Sequence, residues 1–301
     1  MKIEDYNYHW LSELDAESSC EYEDLTHPSI TRHWQATQQY GELLGITASL
    51  GDEIVGLAIV ELDTKSGNAG ILSLFVEAEH RGKGIGTHLI QQLETKLIAM
   101  GCKRVQLSYQ ATEITQTALE PILQRQGWKP PKVSLILVKA EAERIPEIPW
   151  FKKYQLPKDF VNFPWQELTE KEKQQLQQGQ EEKLWYQQGL SPFLDEAIVE
   201  PINSLGLRYQ GEVVGWIVTH RVAPDTIRYT SMFVDKRWQR LGRGIVLMSE
   251  SLQRQYDRAI PFYAYAVSSR NPPMLDFVDR HCKPYMSWIA ESKTTHKRLV
   301  E

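Results

Sequence analysis

Two stretches of this 301-residue chain have the residue types and spacing to hold an anion. The first reads Val76-Glu77-Ala78-Glu79-His80-Arg81-Gly82-Lys83-Gly84-Ile85-Gly86. The second reads Val234-Asp235-Lys236-Arg237-Trp238-Gln239-Arg240-Leu241-Gly242-Arg243-Gly244. Both fit Val-x4-[Arg/Gln]-x-x-Gly-x-Gly. A loop that runs into a helix in this way turns unpaired backbone N–H groups outward, at the positive end of the helix dipole. Glycine lets an anion approach the backbone and tolerates positive φ. Arg81 and Gln239 add side-chain donors, and Lys83, Arg240 and Arg243 add positive charge. Neither stretch is a Walker loop, and Gly82, Gly84 and Gly86 give Gly-x-Gly-x-Gly rather than the Rossmann Gly-x-Gly-x-x-Gly.

The elements needed to position these loops appear twice, in the same order. In the first half, residues 53–60 read as a strand entered from the Gly51-Asp52 turn. A short run of β-formers, 71–76, leads into the loop. A helix follows with Ile85, Leu89, Leu93 and Leu97 on one face, stopping at Gly101. Residues 105–107 then read as a strand. In the second half, 212–218 follows the Gln210-Gly211 turn, 229–234 leads into the loop, Ile245, Met248 and Leu252 mark the helix, and 262–267 is the next strand. Arg81 and Gln239 stand 158 residues apart, about half the chain. A period of that size means two copies of one domain and not a solenoid. Pro146, Pro149 and Pro157 stand between the copies, which predicts domains at 1–142 and 158–301 joined by a linker at 143–157.

Bulk properties narrow the class. A net charge of -5 gives no basic surplus for nucleic acid or an anionic membrane. No apolar run approaches the roughly 20 residues of a membrane span. Cys20, Cys102 and Cys282 are far apart, so neither a disulfide framework nor a metal site is expected. With no apolar leader at the N-terminus, the expected setting is the cytoplasm.

The doubled motif resembles the acyl-CoA pyrophosphate loop of the GNAT superfamily of N-acetyltransferases, and the strand order around it is similar through nearly all of both halves. The resemblance implies an α/β fold (mixed, α+β-like), with two tandem domains whose fourth and fifth strands splay apart around pantetheine. It assigns cofactor binding to Phe75, Val76, Arg81, Gly82, Lys83, Gly84, Ile85 and Gly86, and to Phe233, Val234, Gln239, Arg240, Leu241, Gly242, Arg243 and Gly244. Asn271 matches an asparagine that the family often has ahead of its next helix. The implied reaction is direct attack of an amine, on a small molecule or a protein, upon the thioester of acetyl-CoA, with no metal. The alternative is a non-catalytic acyl-CoA-binding scaffold or sensor. The oligomeric state is not readable.

The family's usual acid, a tyrosine four residues before a Gly-Phe pair, is missing in both copies. Leu123 stands there ahead of Gly127-Trp128, and Phe277 in the second copy. Tyr109, Tyr263 and Tyr265, on the fifth strands, are the substitute acids. Glu61, Asp63, Glu77 and Asp235 are candidate bases, and Ser73 and Ser231 hold equivalent positions near the expected thioester.

Overall fold

A computed structural model describes residues 5–11, 18–26, 30, 42–239 and 242–300. The first half gives β1 (Asn7–Leu11), β2 (Glu42–Leu50), β3 (Glu53–Asp63), β4 (Asn68–Val76), α1 (Ile85–Ala99), β5 (Arg104–Gln110), α2 (Glu120–Arg125) and β6 (Lys132–Glu141). The second gives β7 (Phe160–Pro164), α3 (Glu170–Lys183), β8 (Leu205–Tyr209), β9 (Glu212–Ala223), β10 (Thr226–Val234), α4 (Arg243–Asp257), β11 (Phe262–Ser268), α5 (Pro272–His281) and β12 (Met286–Arg298). The bounds of β4, α1 and β5 recur in β10, α4 and β11 after a shift of 158 residues. No described helix is long and apolar enough to cross a membrane.

The chain forms two compact units, and they do not follow the division at 142 and 158. One comprises residues 1–134 and 291–301, the other 135–290. In the first, strands run β1-β2-β3-β4-β5 and then the end of β12, whose residues 292–298 pair antiparallel with 104–110. In the second they run β7-β8-β9-β10-β11 and then β6, whose residues 135–141 pair antiparallel with 262–268. Each unit is therefore closed by a strand from the other half of the sequence. The stretch expected to be a linker is also structured. Residues 142–147 form a 3-10 helix with Pro146 inside it. Ile145, Ile148 and Trp150 are buried in the core of the second unit, and the Trp150 indole donates to the His281 carbonyl at 3.3 Å.

Among the described residues each unit has one parallel neighbouring pair, β4 with β5 and β10 with β11, because a helix crosses over between them. These pairs part early. Contact ends at Ile71↔Leu107 in the first unit and at Tyr229↔Tyr265 in the second. One residue further on, Leu72 and Thr230 are skipped in the pairing with β3 and β9. Such a bulge bends its strand and breaks the ladder locally. Beyond it, β4 and β10 follow β3 and β9 and leave a gap toward the fifth strand.

The apolar stripe of α1 is buried as its spacing predicts, with Ile85, Leu89, Leu93 and Leu97 all in the first core. On α4 the outcome differs. Leu247 and Leu252 are buried, whereas Ile245 and Met248 are only half-buried because they line a cavity.

Candidate functional site

The two glycine loops have the same build. A single 3-10 turn, Ala78–His80 or Lys236–Trp238, follows the strand. Gly84 and Gly242 then cap α1 and α4 with φ of 91° and 79°, a region open to glycine at little cost. An ideal Cβ on Gly242 meets no atom within 4 Å, so the backbone there faces open space. The first N–H groups of each helix have no intrahelical acceptor and suit an anion.

The side chains of these loops act on the loops themselves. Arg81 donates through Nε to the Val76 carbonyl at 2.9 Å, and Gln239 through Nε2 to the equivalent Val234 carbonyl at 2.7 Å. Lys83 donates to the Glu79 carbonyl at 2.8 Å. The Arg243 guanidinium lies over the Phe160 ring, 5.0 Å from its centroid. The cradle is thus backbone, and Arg81, Gln239 and Lys83, expected at the anion, brace the loops. Arg240 and Leu241 lie outside the described residues.

A cavity of about 570 Å³ fills the gap in the second unit. It starts at Gln239, Gly242 and Gly244, passes between Met232–Val234 and Ala266–Ser268, and ends against Trp150, Leu252 and Tyr263. Phe233, Val234 and Asn271, expected at the cofactor, line it, and so do Tyr263 and Tyr265, expected as acids. Asn271 also caps α5, its side chain accepting from the Met274 N–H at 3.3 Å. Phe277 stands in the wall, tilted against Trp150 with ring centroids 5.8 Å apart. Tyr263 and Tyr265 stack nearly parallel, and burial pushes both phenols above their ordinary range, so both stay protonated donors. Burial likewise pushes the Cys282 thiol, beside Tyr265, up to about 11.

At the point where the strands part stands a polar pair that sequence reasoning missed. The Thr230 hydroxyl lies 2.6 Å from Nδ1 of His220, a fully buried residue of β9. His220 Nε2 lies 3.1 Å from the Leu194 carbonyl. A carbonyl only accepts, so Nε2 carries the proton, Nδ1 is bare, and Thr230 donates to it. Arg228 Nε donates back to Thr230 at 3.0 Å. Burial, and then the Arg228 charge, hold the His220 pKa below its ordinary value, so the ring is neutral. Thr230 lines the cavity. The equivalents in the first unit are Leu62 and Leu72, which have no such chemistry.

Other candidates are held in hydrogen bonds to neighbouring groups. Asp235 is buried, accepting from the Trp185 indole at 2.7 Å and from Arg237. Burial raises its pKa, but hydrogen bonds from Arg237 and Trp185 outweigh that and keep it an ionised anchor, a poor base. The Ser231 hydroxyl donates to the Leu190 carbonyl at 2.6 Å and accepts from the Trp216 indole. Trp216 is fully buried. In the first unit the Tyr109 hydroxyl donates to Glu120 at 3.0 Å, and Glu120 also pairs with Lys293 at 2.8 Å. His80 is buried against Tyr6, whose hydroxyl is 3.0 Å from Nδ1.

Comparison with known proteins agrees with this architecture. The sequence profile of the acetyltransferase (GNAT) family matches twice, over residues 6–128 and 164–282, and the chain belongs to that family. Its fold is similar to that of a tandem GNAT protein from the clavulanic acid biosynthesis pathway, with TM-score 0.71 and 12% identity over 98% of this chain and 99% of that one. A GCN5-related N-acetyltransferase from Sphaerobacter thermophilus is similar with TM-score 0.64 and 16% identity over 100% and 98%. So is a glucosamine N-acetyltransferase region of a fungal multi-domain GH3 β-N-acetylglucosaminidase, with TM-score 0.64 and 14% identity over 97% and 38%. The chain is thus a tandem GNAT protein of acyltransferase type.

Proposed function

We propose that the second unit transfers an acyl group from a CoA thioester, acetyl-CoA in the simplest case, to an amine of a small molecule or protein by direct attack, in the cytoplasm. The observation that carries this reading is the cavity leading from the Gly242 cradle to Thr230. The residues present suit the donor. Helix N–H groups at Arg243–Ile245 fit a diphosphate, and the β10 edge beyond Tyr229 has no strand partner on the β11 side to compete with a pantetheine arm.

When bound, the thioester supplies an activated carbonyl. The chain's own groups do the rest. Thr230 accepts the amine proton as its own hydroxyl proton passes to His220 Nδ1, so the attacking nitrogen is neutral as its bond to carbon forms. Backbone N–H groups on the parted β10 edge offer hydrogen bonds to the developing oxyanion. Tyr265, on the last paired rung and lining the cavity, supplies a proton to the departing thiolate as the C–S bond breaks. In the first unit leucines stand at 62 and 72, in the places of His220 and Thr230, which favours a supporting role there.

Thiol release tests the assignment. The full chain is mixed with acetyl-CoA and a panel of primary amines, and free CoA is measured. Amine-dependent release is expected from the native sequence and from Gly84→Val, and is expected to disappear in Gly242→Val. Loss in Gly84→Val alone would place the reaction in the first unit.

A further inference from the structure

The cavity does not stop where a two-carbon acyl group would. Its strands part at Tyr229↔Tyr265, yet on the α4 side it continues to Tyr263 and Leu252, beneath the paired rung Ile227↔Tyr263. Two strand residues span about 6–7 Å. With C–C bonds of about 1.5 Å, that length takes roughly four or five further carbons. The walls here are Ile148, Trp150, Leu252, Tyr263, Phe277 and Cys282. None is ionised, since burial holds both the Tyr263 phenol and the Cys282 thiol protonated. Apolar walls that face a cavity lose the contacts that an acyl chain between them would supply.

The first unit makes the contrast. Its equivalent of Leu252 is Glu94, which accepts from the Trp128 indole at 2.6 Å and pairs with Lys297. Trp128 and Leu123 are buried in the same core. An ion pair and an indole thus occupy the place that is open and apolar in the second unit.

Resting on the acyl-CoA reading above, we propose that the second unit's donor is a medium-chain acyl-CoA, with an unbranched acyl group of about six carbons, and that Leu252 and Trp150 set this length. The test is a calorimetric titration of the full chain with CoA and with acetyl-, butyryl- and hexanoyl-CoA. Affinity is expected to rise from acetyl to hexanoyl by about four-fold for each methylene buried. Leu252→Trp, or Leu252→Phe if the larger ring prevents folding, is expected to bring hexanoyl-CoA back to the affinity of acetyl-CoA. Affinity that is flat or falls from acetyl to hexanoyl overturns the chain-length proposal while leaving the CoA site standing. A rise that survives both Leu252 variants overturns the assignment to this cavity. Absence of binding by CoA and every thioester overturns the acyl-CoA reading itself.

Discussion

Thr230→Val is expected to lower kcat for amine acylation by about 10²–10⁴-fold, the usual worth of a positioned acid or base. The substitution keeps the β-branched shape that the bulge accommodates and deletes only the hydroxyl. It leaves His220 Nδ1 without its 2.6 Å partner and cuts the path from the cavity to the ring. Thr230→Ser keeps that path and is expected to retain most of the rate. His220→Gln should fall as far as Thr230→Val, and the double variant little further, since the two act as one unit. The pH profile separates this from damage to packing. A protonated His220 cannot accept, so the rate falls as pH drops through its pKa. Burial and Arg228 hold that pKa below the usual 6.5, with Asp195 and the Leu194 carbonyl opposing; the ion-paired Arg221 and Glu200 flank the ring on its own strand and the adjoining segment. With an acceptor that is neutral throughout, kcat/KM should therefore hold its plateau to below pH 6.5 and then decline. That acid limb should be missing from the residual activity of His220→Gln. Full activity in Thr230→Val would remove the relay from the mechanism.

A chain ending at Ala290 is expected to lose the fold of the first unit. Residues 292–298 form the ladder along β5, and Lys293 and Lys297 reach Glu120 and Glu94 beneath it. Thr295 donates to the Lys129 carbonyl, and Lys129 N–H to that of His296. Several backbone hydrogen bonds at about 1 kcal/mol each, and the two ion pairs, go together. Their sum is comparable to the whole 5–15 kcal/mol stability of a typical domain. Scanning calorimetry of the truncated chain should show the first unit's transition displaced to much lower temperature or absent. A synthetic peptide of residues 286–301 should restore it. An unchanged transition would show that β5 does not need this strand. For the same reason a fragment of residues 1–142 would lack its closing strand, so the two halves cannot be assayed as independent domains cut at the prolines.

The repeat and its loops were legible because their signals are local. Glycine spacing, the four-residue apolar stripe of α1 and the β-formers of 71–76 each depend on a few neighbouring residues. The strand exchange was not legible, because nothing in 132–141 or 286–298 says which fifth strand it will pair with. Pro146, Pro149 and Pro157 read as a linker, yet Ile145, Ile148 and Trp150 beside them carry the stretch into a core. The cavity escaped because Ile245, Met248 and Phe277 have the composition of a core, and composition does not reveal a void. His220 and Thr230 are ten residues apart on two strands. They meet across the ladder, where His220 pairs with Arg228 and the bulge skips Thr230. A comparison of the copies at the 158-residue offset would have found one signal: leucines at 62 and 72 opposite His220 and Thr230.

The central claim is that an acyl-CoA lies between the parted strands of the second unit. Backbone hydrogen exchange with and without saturating acetyl-CoA tests it most directly, since a bound ligand slows exchange wherever it accepts from an N–H or holds a segment closed. Protection is predicted at 230–234, 242–246 and 266–271. Protection confined to 72–76 and 84–88, or none in the second unit at saturation, would contradict the account.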